Sequence, residues 1–271
     1  MQLSIRHTTR YQFSQPATRG LQRLRLRPKS THGQSVIEWH MDYDGAKLEA
    51  EYEDQHCNPT VLVSVKPGAE AVTITCSGLV RTSDNAGIIG HHSGHMPMWS
   101  FLAQTPLTAP GPKMRALAAS LGRDGTDVLA RLHALSRGVI AAVRYEIGHT
   151  DATTPAEVAI AAGRGVCQDH AHIFIGIARS LGIPARYVSG YLMMNHRIDQ
   201  EAGHGWAEAF VAGLGWVAFD VSNGISADAR YVRIATGFDY REAAPVTGIS
   251  YGAGETALSV ELAVKQQLAE Q

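Results

Sequence analysis

Apolar and polar residues alternate with a period of two between residue 2 and about residue 82, which is the spacing of half-buried strands. Successive side chains of a strand point to opposite faces, so each run would bury one face and expose the other. The runs are short, and Pro, Gly, Asn and Asp residues separate them. Their apolar positions include Leu3 and Ile5, Leu24 and Leu26, Val61 and Val63, and Val72 and Ile74. The pattern predicts an antiparallel β module.

A segment without regular periodicity follows this module. Residues 85–98 are rich in Gly and His, and residues 106–112 contain three prolines and a glycine. Proline fixes φ and lacks a backbone N–H, so regular structure is disfavoured there. We expect a domain junction at this point, which divides the chain into a β-rich N-terminal module (1–105) and a second domain (106–271).

Helical spacing begins after the junction. Residues 114–121 and 128–145 carry apolar residues three and four positions apart, and a short helix is expected to begin near Pro155. Residues 166–181 are apolar nearly all round, which is typical of a helix buried on most sides. This helix should end at Gly182, because glycine readily adopts the left-handed cap conformation.

Strand-forming residues follow the buried helix. Residues 185–194, 205–212 and 216–221 are rich in β-branched and aromatic side chains, and residues 257–266 are a further strand candidate. We therefore predict an α+β fold in which an antiparallel sheet packs on the buried helix, preceded by the all-β module.

Charge and composition exclude several classes of protein. The 271 residues include 24 Lys plus Arg and 25 Asp plus Glu, a formal net charge of −1, which argues against nucleic-acid or membrane-surface partners. The apolar run at 171–178 is shorter than the roughly 18 residues that cross a bilayer. The first residues lack the pattern of a signal peptide. Three cysteines do not make a disulfide framework, so we expect a cytoplasmic protein.

One cysteine lies in a setting that favours reactivity. Cys167 follows two glycines, Gly163 and Gly165, at the predicted start of the buried helix. Unpaired N–H groups and the helix dipole favour an anion there, and the thiolate is the nucleophilic form of cysteine. The two other cysteines, Cys57 and Cys76, are interpreted as small buried apolar residues.

A thiolate nucleophile also needs an imidazole and an acceptor that orients the imidazole. His204 begins one predicted strand and Asp220 ends the next, an even separation that places both on one face of a hairpin. Pairing centred on Leu214 would leave them roughly 13 Å apart along the strand. Direct contact then requires pairing centred near Ala212 or a bulge at a turn glycine.

Two stretches resemble the bacterial transglutaminase-like superfamily: GVCQDHAHIFIGIARSLGIPARYVSGYL and HGWAEAFVAGLGWVAFDVSNG. The stretches IRHTTRYQF and LQRLRLRP resemble the β module of one bacterial branch, and GFDYREAAPVTGISYGAG resembles its tail. The resemblance implies a papain-like catalytic domain with Cys167 as nucleophile, His204 as general acid/base and Asp220 as the residue that orients His204. Two positions depart from the common pattern, with Gly205 in place of alanine and Val221 in place of proline. Neither departure removes a catalytic atom.

The predicted reaction is attack of the Cys167 thiolate on an amide or peptide carbonyl, giving a thioester that water or an amine resolves. We favour water, hence a cysteine peptidase or amidase acting on a peptide or protein amide without cofactor or metal. The alternatives are an amine-accepting transglutaminase, a catalytically silent peptide-binding module, and a zinc hydrolase whose ligands would come from Cys167, His170, His172 and His204. Calcium activation is not expected, because the sequence lacks an Asp-x-Asp-x-Asp-Gly loop.

The sequence also predicts the positions or partners of several further residues. One of His170 and His172 should be packed and the other solvated, because residues two apart point to different sides of a helix. Arg186 should pair with an acidic group. We also expect Trp206 and Trp216 to lie in the core or in the cleft wall. Asp169 and Gln168 should support the start of the helix, and Tyr145 is a candidate partner of the oxyanion. A loop that borders the cleft should contain His91, His92 and His95.

Overall fold

The computed structural model describes residues 1–121, 127–195 and 197–267, and these residues form the predicted α+β fold. The strands are β1 (Gln2–Ala17), β2 (Arg19–Leu24), β3 (Gln34–Asp44), β4 (Ala46–Glu53), β5 (Pro59–Val65), β6 (Ala69–Thr82), β7 (Ile88–Gly90), β8 (Arg144–Tyr145), β9 (Arg164–Gly165), β10 (Ala185–Leu192), β11 (Asp199–Gln200), β12 (His204–Val211), β13 (Gly215–Phe219), β14 (Tyr231–Gly237), β15 (Val246–Tyr251) and β16 (Thr256–Gln266). The helices are α1 (Pro112–Ser120), α2 (Val128–Ala142), α3 (Ala156–Ala162), α4 (Cys167–Ser180) and α5 (Tyr240–Ala243), and a 3₁₀ helix spans Met98–Leu102.

Two antiparallel sheets form the N-terminal part of the fold. One has the strand order β11-β16-β1-β6-β3 and the other the order β15-β2-β5-β4. Buried residues alternate along much of β1, β5 and β6, which confirms the period-two prediction for these strands. Leu24, Val63 and Ile74 lie in one apolar core to which both sheets contribute. The sequence pattern in this region therefore reflects burial of one face of each sheet.

The C-terminal tail returns to the N-terminal sheets. β16 pairs antiparallel with β1, and β15 pairs antiparallel with β2. The predicted strand at residues 257–266 is confirmed as β16, but its hydrogen-bonded partner is the first strand of the chain. The tail, which the sequence analysis placed in the second domain, thus adds its strands to the first module. The division of the chain near residue 105 stays a prediction.

The third main sheet packs on α4, as predicted for the buried helix. Its strand order is β14-β10-β12-β13-β7, with antiparallel neighbours. Phe174 and Ile175 of α4 share one core with Ala207 and Phe219 of the sheet, while α1, α2 and α3 contact other sides of α4. Helix α4 is therefore enclosed by the sheet and by three helices, which explains its apolar composition. We call β14-β10-β12-β13-β7 the catalytic sheet.

The helices begin and end close to their predicted positions. α2 ends at Ala142, earlier than expected, because β8 follows it and pairs parallel with β9. Gly182 has a φ of 77° after α4, and the Ile183 N–H donates to the Ala178 carbonyl at 2.9 Å, which confirms the glycine cap. Within the described ranges, no helix has both the length and the apolar composition needed to cross a bilayer.

A tyrosine explains the glycine next to His204. Tyr187 and Gly205 are diagonal neighbours, because Tyr187 pairs with Ala207 across β10 and β12. A Cβ on residue 205 would lie 2.0 Å from the Tyr187 hydroxyl oxygen and 2.8 Å from its Cζ. The hydroxyl therefore occupies the space that an alanine methyl group would need. The departure from the common His-Ala-Trp pattern is accommodated by this contact.

We predict that Gly205→Ala lowers the free energy of unfolding by about 1–3 kcal/mol, the usual effect of overpacking. The loss should be smaller when Gly205→Ala is introduced into Tyr187→Phe, because the nearest atom is then the ring carbon rather than the hydroxyl. Urea unfolding of the wild type, both single variants and the double variant measures this coupling. Equal losses in the two backgrounds would contradict the proposed clash.

Candidate active site

Helix α4 begins at Cys167, and the residues around this position fix the start of the helix. Oδ2 of Asp169 accepts hydrogen bonds from the Val166 N–H at 2.8 Å and from the Thr150 hydroxyl at 2.6 Å. A Cβ on Gly165 would lie 2.7 Å from the same oxygen, so glycine is required there. The half-buried Cys167 is thereby held at a helix N-terminus, where an anion is stabilised. The expected support from Asp169 is confirmed.

His204 and Asp220 are directly hydrogen-bonded. Nε2 of His204, the first residue of β12, lies 2.6 Å from Oδ2 of Asp220. Asp220 is fully buried, and the same oxygen accepts hydrogen bonds from the Tyr231 hydroxyl at 2.6 Å and the Asn223 amide at 2.7 Å. A buried carboxylate needs such donors, because burial removes the water that would otherwise solvate it. The imidazole is therefore held by a carboxylate that is itself fixed.

The hairpin register differs from both registers considered in the sequence analysis. The pairs of β12 and β13 are centred on Gly213, rather than on Leu214 or Ala212, and they show no bulge. This register makes His204 and Asp220 diagonal neighbours on one face of the sheet, a relation that long side chains can span. The centre is displaced from Leu214 toward Ala212, as direct contact was expected to require, but by one position only. Asp220 is therefore diagonal to His204 rather than directly opposite it.

The thiol of Cys167 completes the arrangement, because it lies close enough to the His204 ring to raise the pKa of the imidazole. Nε2 of the His204 ring contacts the Asp220 carboxylate, so Nδ1 is the ring nitrogen that remains available to the Cys167 sulfur. Sulfur, imidazole and carboxylate thus follow one another in the order that the sequence analysis expects. The structure brings all three predicted site residues together.

The charges of His204 and Asp220 support each other. Burial by itself would lower the pKa of His204, but its hydrogen bonds with Asp220 and Cys167 raise this pKa to about 10. Burial likewise would raise the pKa of Asp220, and the hydrogen bond and charge of His204 hold it below its usual range. The two shifts have the directions expected of an ion pair. At neutral pH the pair is an imidazolium next to a carboxylate.

Sequence reasoning missed the two donors that hold Asp220. Asn223 lies three residues further along, in the turn after β13, and this spacing is a local signal for an Asp-anchored turn. Tyr231 carries no such signal. It reaches Asp220 because β14 pairs with β10, which in turn pairs with β12, a relation set by the sheet order.

Both histidines that follow the nucleophile are buried, so the expectation that one is solvated was wrong. The ring of His170 contacts the Ser222 hydroxyl at 2.8 Å and the Val143 carbonyl at 3.0 Å. Nε2 of His172 accepts a hydrogen bond from the Tyr240 N–H at 3.1 Å. Burial lowers the pKa of His172 to about 3, so its ring is neutral. Both ring nitrogens of His170 and Nε2 of His172 have structural partners, whereas His172 Nδ1 has none among the described residues. The three occupied nitrogens argue against the zinc-hydrolase alternative.

The predictions for the two tryptophans and for Arg186 are confirmed, whereas only one of the two predictions for the other cysteines is. Trp206 and Trp216 are buried, and Arg186 pairs with an acidic group as expected, with Nε 2.6 Å from Glu208 Oε2. Cys76 is buried, as predicted. The corresponding prediction for Cys57 was wrong, because this residue is half-buried.

The Gly/His-rich segment borders a cavity on the face of the catalytic sheet that points away from α4. His91, His92 and His95 line this cavity together with Arg186, and its described lining does not include Cys167. His92 bridges the Trp216 indole N–H at 3.2 Å and the Met96 carbonyl at 2.7 Å. The segment is thus anchored to β13, and its position beside the Cys167 cleft stays a prediction.

Tyr145 lies next to the nucleophile, as a candidate oxyanion donor must. It belongs to β8, where it pairs with Gly165, two residues before Cys167. Burial raises its pKa, and the negative charges of Cys167 and Asp220 raise it further. The phenol therefore keeps its proton at neutral pH and can donate a hydrogen bond.

Comparisons with known proteins agree with this geometry. Residues 115–221 match the model of the transglutaminase-like superfamily, and residues 3–81 match that of the bacterial transglutaminase-like N-terminal region. An uncharacterized protein of Mycobacterium leprae is 28% identical over 280 residues, which cover 95% of this chain and 96% of that protein. An uncharacterized protein of Mycobacterium bovis is 25% identical over 281 residues, which cover 94% and 89%.

A solved structure shares the whole fold. A candidate cysteine protease from Cytophaga hutchinsonii superposes with a TM-score of 0.78 and 22% identity, over 100% of this chain and 92% of that chain. The two family models confirm the resemblance inferred from the sequence. Residues 115–221 are a transglutaminase-like core, and residues 3–81 are a bacterial transglutaminase-like N-terminal region.

Proposed function

We propose that this protein is a cysteine hydrolase that cleaves an amide or peptide bond through a thioester on Cys167. The transglutaminase-like core at residues 115–221 supports a cysteine-dependent acyl-transfer or hydrolytic chemistry. The observation that carries the proposal is that the buried Asp220 holds the His204 ring at 2.6 Å, beside a cysteine that begins helix α4. A cation next to a sulfur at a helix N-terminus favours the nucleophilic thiolate.

In the first half-reaction the Cys167 thiolate attacks the carbonyl carbon, and the electron pair of the C=O bond moves to oxygen. As this oxyanion collapses, the C–N bond breaks and His204 Nδ1 donates its proton to the leaving amine. In the second half-reaction His204 takes a proton from water, which attacks the thioester. The C–S bond then breaks, so the thiolate, the imidazolium and a carboxylic acid product are formed. Asp220 keeps the ring oriented throughout.

The oxyanion would lie between two kinds of donor. The first turn of α4 presents backbone N–H groups that have no carbonyl partner within the helix. The Tyr145 hydroxyl adds a neutral phenol from β8, which pairs with the chain just before Cys167. Donors placed where negative charge develops can contribute about 3–4 kcal/mol to transition-state stabilisation.

We propose water rather than an amine as acyl acceptor, because an amine must be bound near the thioester to compete with the solvent. The amine-accepting transglutaminase is the second candidate, and it uses the same first half-reaction. p-Nitrophenyl acetate with and without cadaverine distinguishes the two by mass spectrometry of the products. Acetate as the main product in the presence of cadaverine supports hydrolysis, and acetylcadaverine as the main product supports transamidation.

We predict that Cys167→Ala lowers turnover of p-nitrophenyl acetate by about 10⁴-fold or more, because no nucleophile remains. The midpoint of thermal unfolding should change little, since the thiol is only half-buried. Intact-mass measurement should detect an acetyl adduct in the wild type and lose it in the variant. Cys57→Ala is the matched control, because Cys57 is also half-buried, and it should retain both turnover and adduct. Undiminished turnover in Cys167→Ala would refute the assigned nucleophile.

Iodoacetamide distinguishes an enzyme from a silent binding module. A reactive thiolate at Cys167 should be alkylated at least about tenfold faster than Cys57 at pH 7. Cys76 should react more slowly than both, because burial raises its pKa to about 12. Peptide mapping over time gives the three rates. An inert Cys167 in the folded protein would favour the silent module.

We predict that Asp220→Asn lowers kcat/KM by roughly 10²- to 10⁴-fold and also changes its pH profile. In the wild type, activity should fall as the pH rises through about 10, because His204 then loses the proton that it must donate. The hydrogen bond with Asp220 is one cause of this raised pKa, so its loss should move the alkaline limb to lower pH. Asp44→Asn, an exposed change in β3, should leave the limb in place. An unmoved limb in Asp220→Asn would contradict the assigned coupling.

A further inference from the structure

A cavity of about 710 Å³ lies between the N-terminal module and the face of the catalytic sheet that points away from α4. Residues 29–32 and 55–57 line it from the module, and Arg186 of β10 and Arg233 of β14 line it from the sheet. Tyr187 lies in the core with α4, so its neighbour Arg186 points to the opposite face. The lining of the cavity contains none of Cys167, His204 and Asp220, so the cavity is separate from the Cys167 site, although both share the catalytic sheet.

Positive charge predominates in this cavity. Lys29, Arg186 and Arg233 all line it, and the carboxylate of Glu208 pairs with both arginines, with Nε–Oε distances of 2.6 and 2.7 Å. Glu53 also lines the cavity, but its side chain is exposed to solvent. Burial and the two nearby arginines lower the pKa of Lys29 to about 7. When Lys29 is protonated, as a bound anion would favour, these groups comprise three cations and one buried anion.

The three cations keep hydrogen-bond donors available for a ligand. Lys29 Nζ donates to the carbonyls of His56 and Cys57, both at 3.0 Å, so one of its three N–H bonds has no partner among the described residues. Arg186 uses only Nε toward Glu208, and its guanidinium carbon lies 3.8 Å above the ring centre of Trp216. Its two terminal nitrogens make no hydrogen bond within the described part of the chain.

We infer that this cavity binds a small phosphomonoester, with the phosphate held by Lys29, Arg186 and Arg233. A phosphate dianion would balance the excess of two positive charges, and its oxygens suit guanidinium and ammonium donors that approach from separate strands and loops. A volume of about 710 Å³ is within the range of small-molecule sites and leaves room for the organic part of the ester. The site does not depend on the proposed hydrolase activity.

Isothermal titration with glycerol 3-phosphate tests the inference, with inorganic phosphate, succinate and sodium chloride as parallel titrants at constant ionic strength. We expect saturable binding of glycerol 3-phosphate that weakens at least tenfold in Lys29→Met. Lys66→Met, an exposed change in the turn between β5 and β6, should bind as the wild type does. Binding of phosphate alone would identify the free anion, rather than an ester, as the ligand and would overturn the ester assignment.

Other outcomes overturn the inference altogether. These are tighter binding of succinate than of glycerol 3-phosphate, heats no larger than those of sodium chloride, and unchanged affinity in Lys29→Met.

A second measurement uses the wild-type protein, so it does not depend on whether the variant folds. Saturating glycerol 3-phosphate should slow acetylation of Lys29 by acetic anhydride at least tenfold without slowing that of Lys66, and equal rates with and without it would refute the site.

Discussion

A buried carboxylate sets the chemistry of this chain. Asp220 has no exposed surface, and three side chains donate to it: His204, Tyr231 and Asn223. An ionised carboxylate survives such burial only when donors and an opposite charge replace its lost hydration. The cost of burying Asp220 therefore keeps His204 protonated and oriented, with its free nitrogen toward Cys167. The helix start contributes the second requirement, a place where a sulfur anion is stable.

The two faces of the catalytic sheet have different neighbours because residues alternate along its strands. On β12, Ala207 faces α4 and its core, whereas Glu208 faces the N-terminal module and pairs with two arginines. Leaving either partner of such a buried network unpaired costs about 3–5 kcal/mol, so the network holds β10, β12 and β14 together. The tail strands β15 and β16 strengthen this arrangement, since they tie the end of the chain to β2 and β1.

Much of the site could be predicted because its determinants are local. The glycines before Cys167, the apolar run after it and the cap at Gly182 specify a buried helix that begins at the nucleophile. The even spacing of His204 and Asp220 correctly implies a common face. The register could not be predicted, because it depends on how the turn is centred, and a shift of one position at the turn centre moves the cross-strand partner by two residues.

The sequence by itself determined the class of fold, the periodicity of the β module and the choice of the three residues that we propose as nucleophile, imidazole and carboxylate, since these follow from spacing and composition. Only the tertiary structure decided that Tyr231 supports Asp220, that His170 and His172 are both buried, and that the tail pairs with β1 and β2. Each of these contacts joins segments that lie far apart in the chain or depends on which helix faces are covered. Local sequence patterns do not identify such partners, because a burial preference specifies that a side chain is enclosed but not which distant residue encloses it.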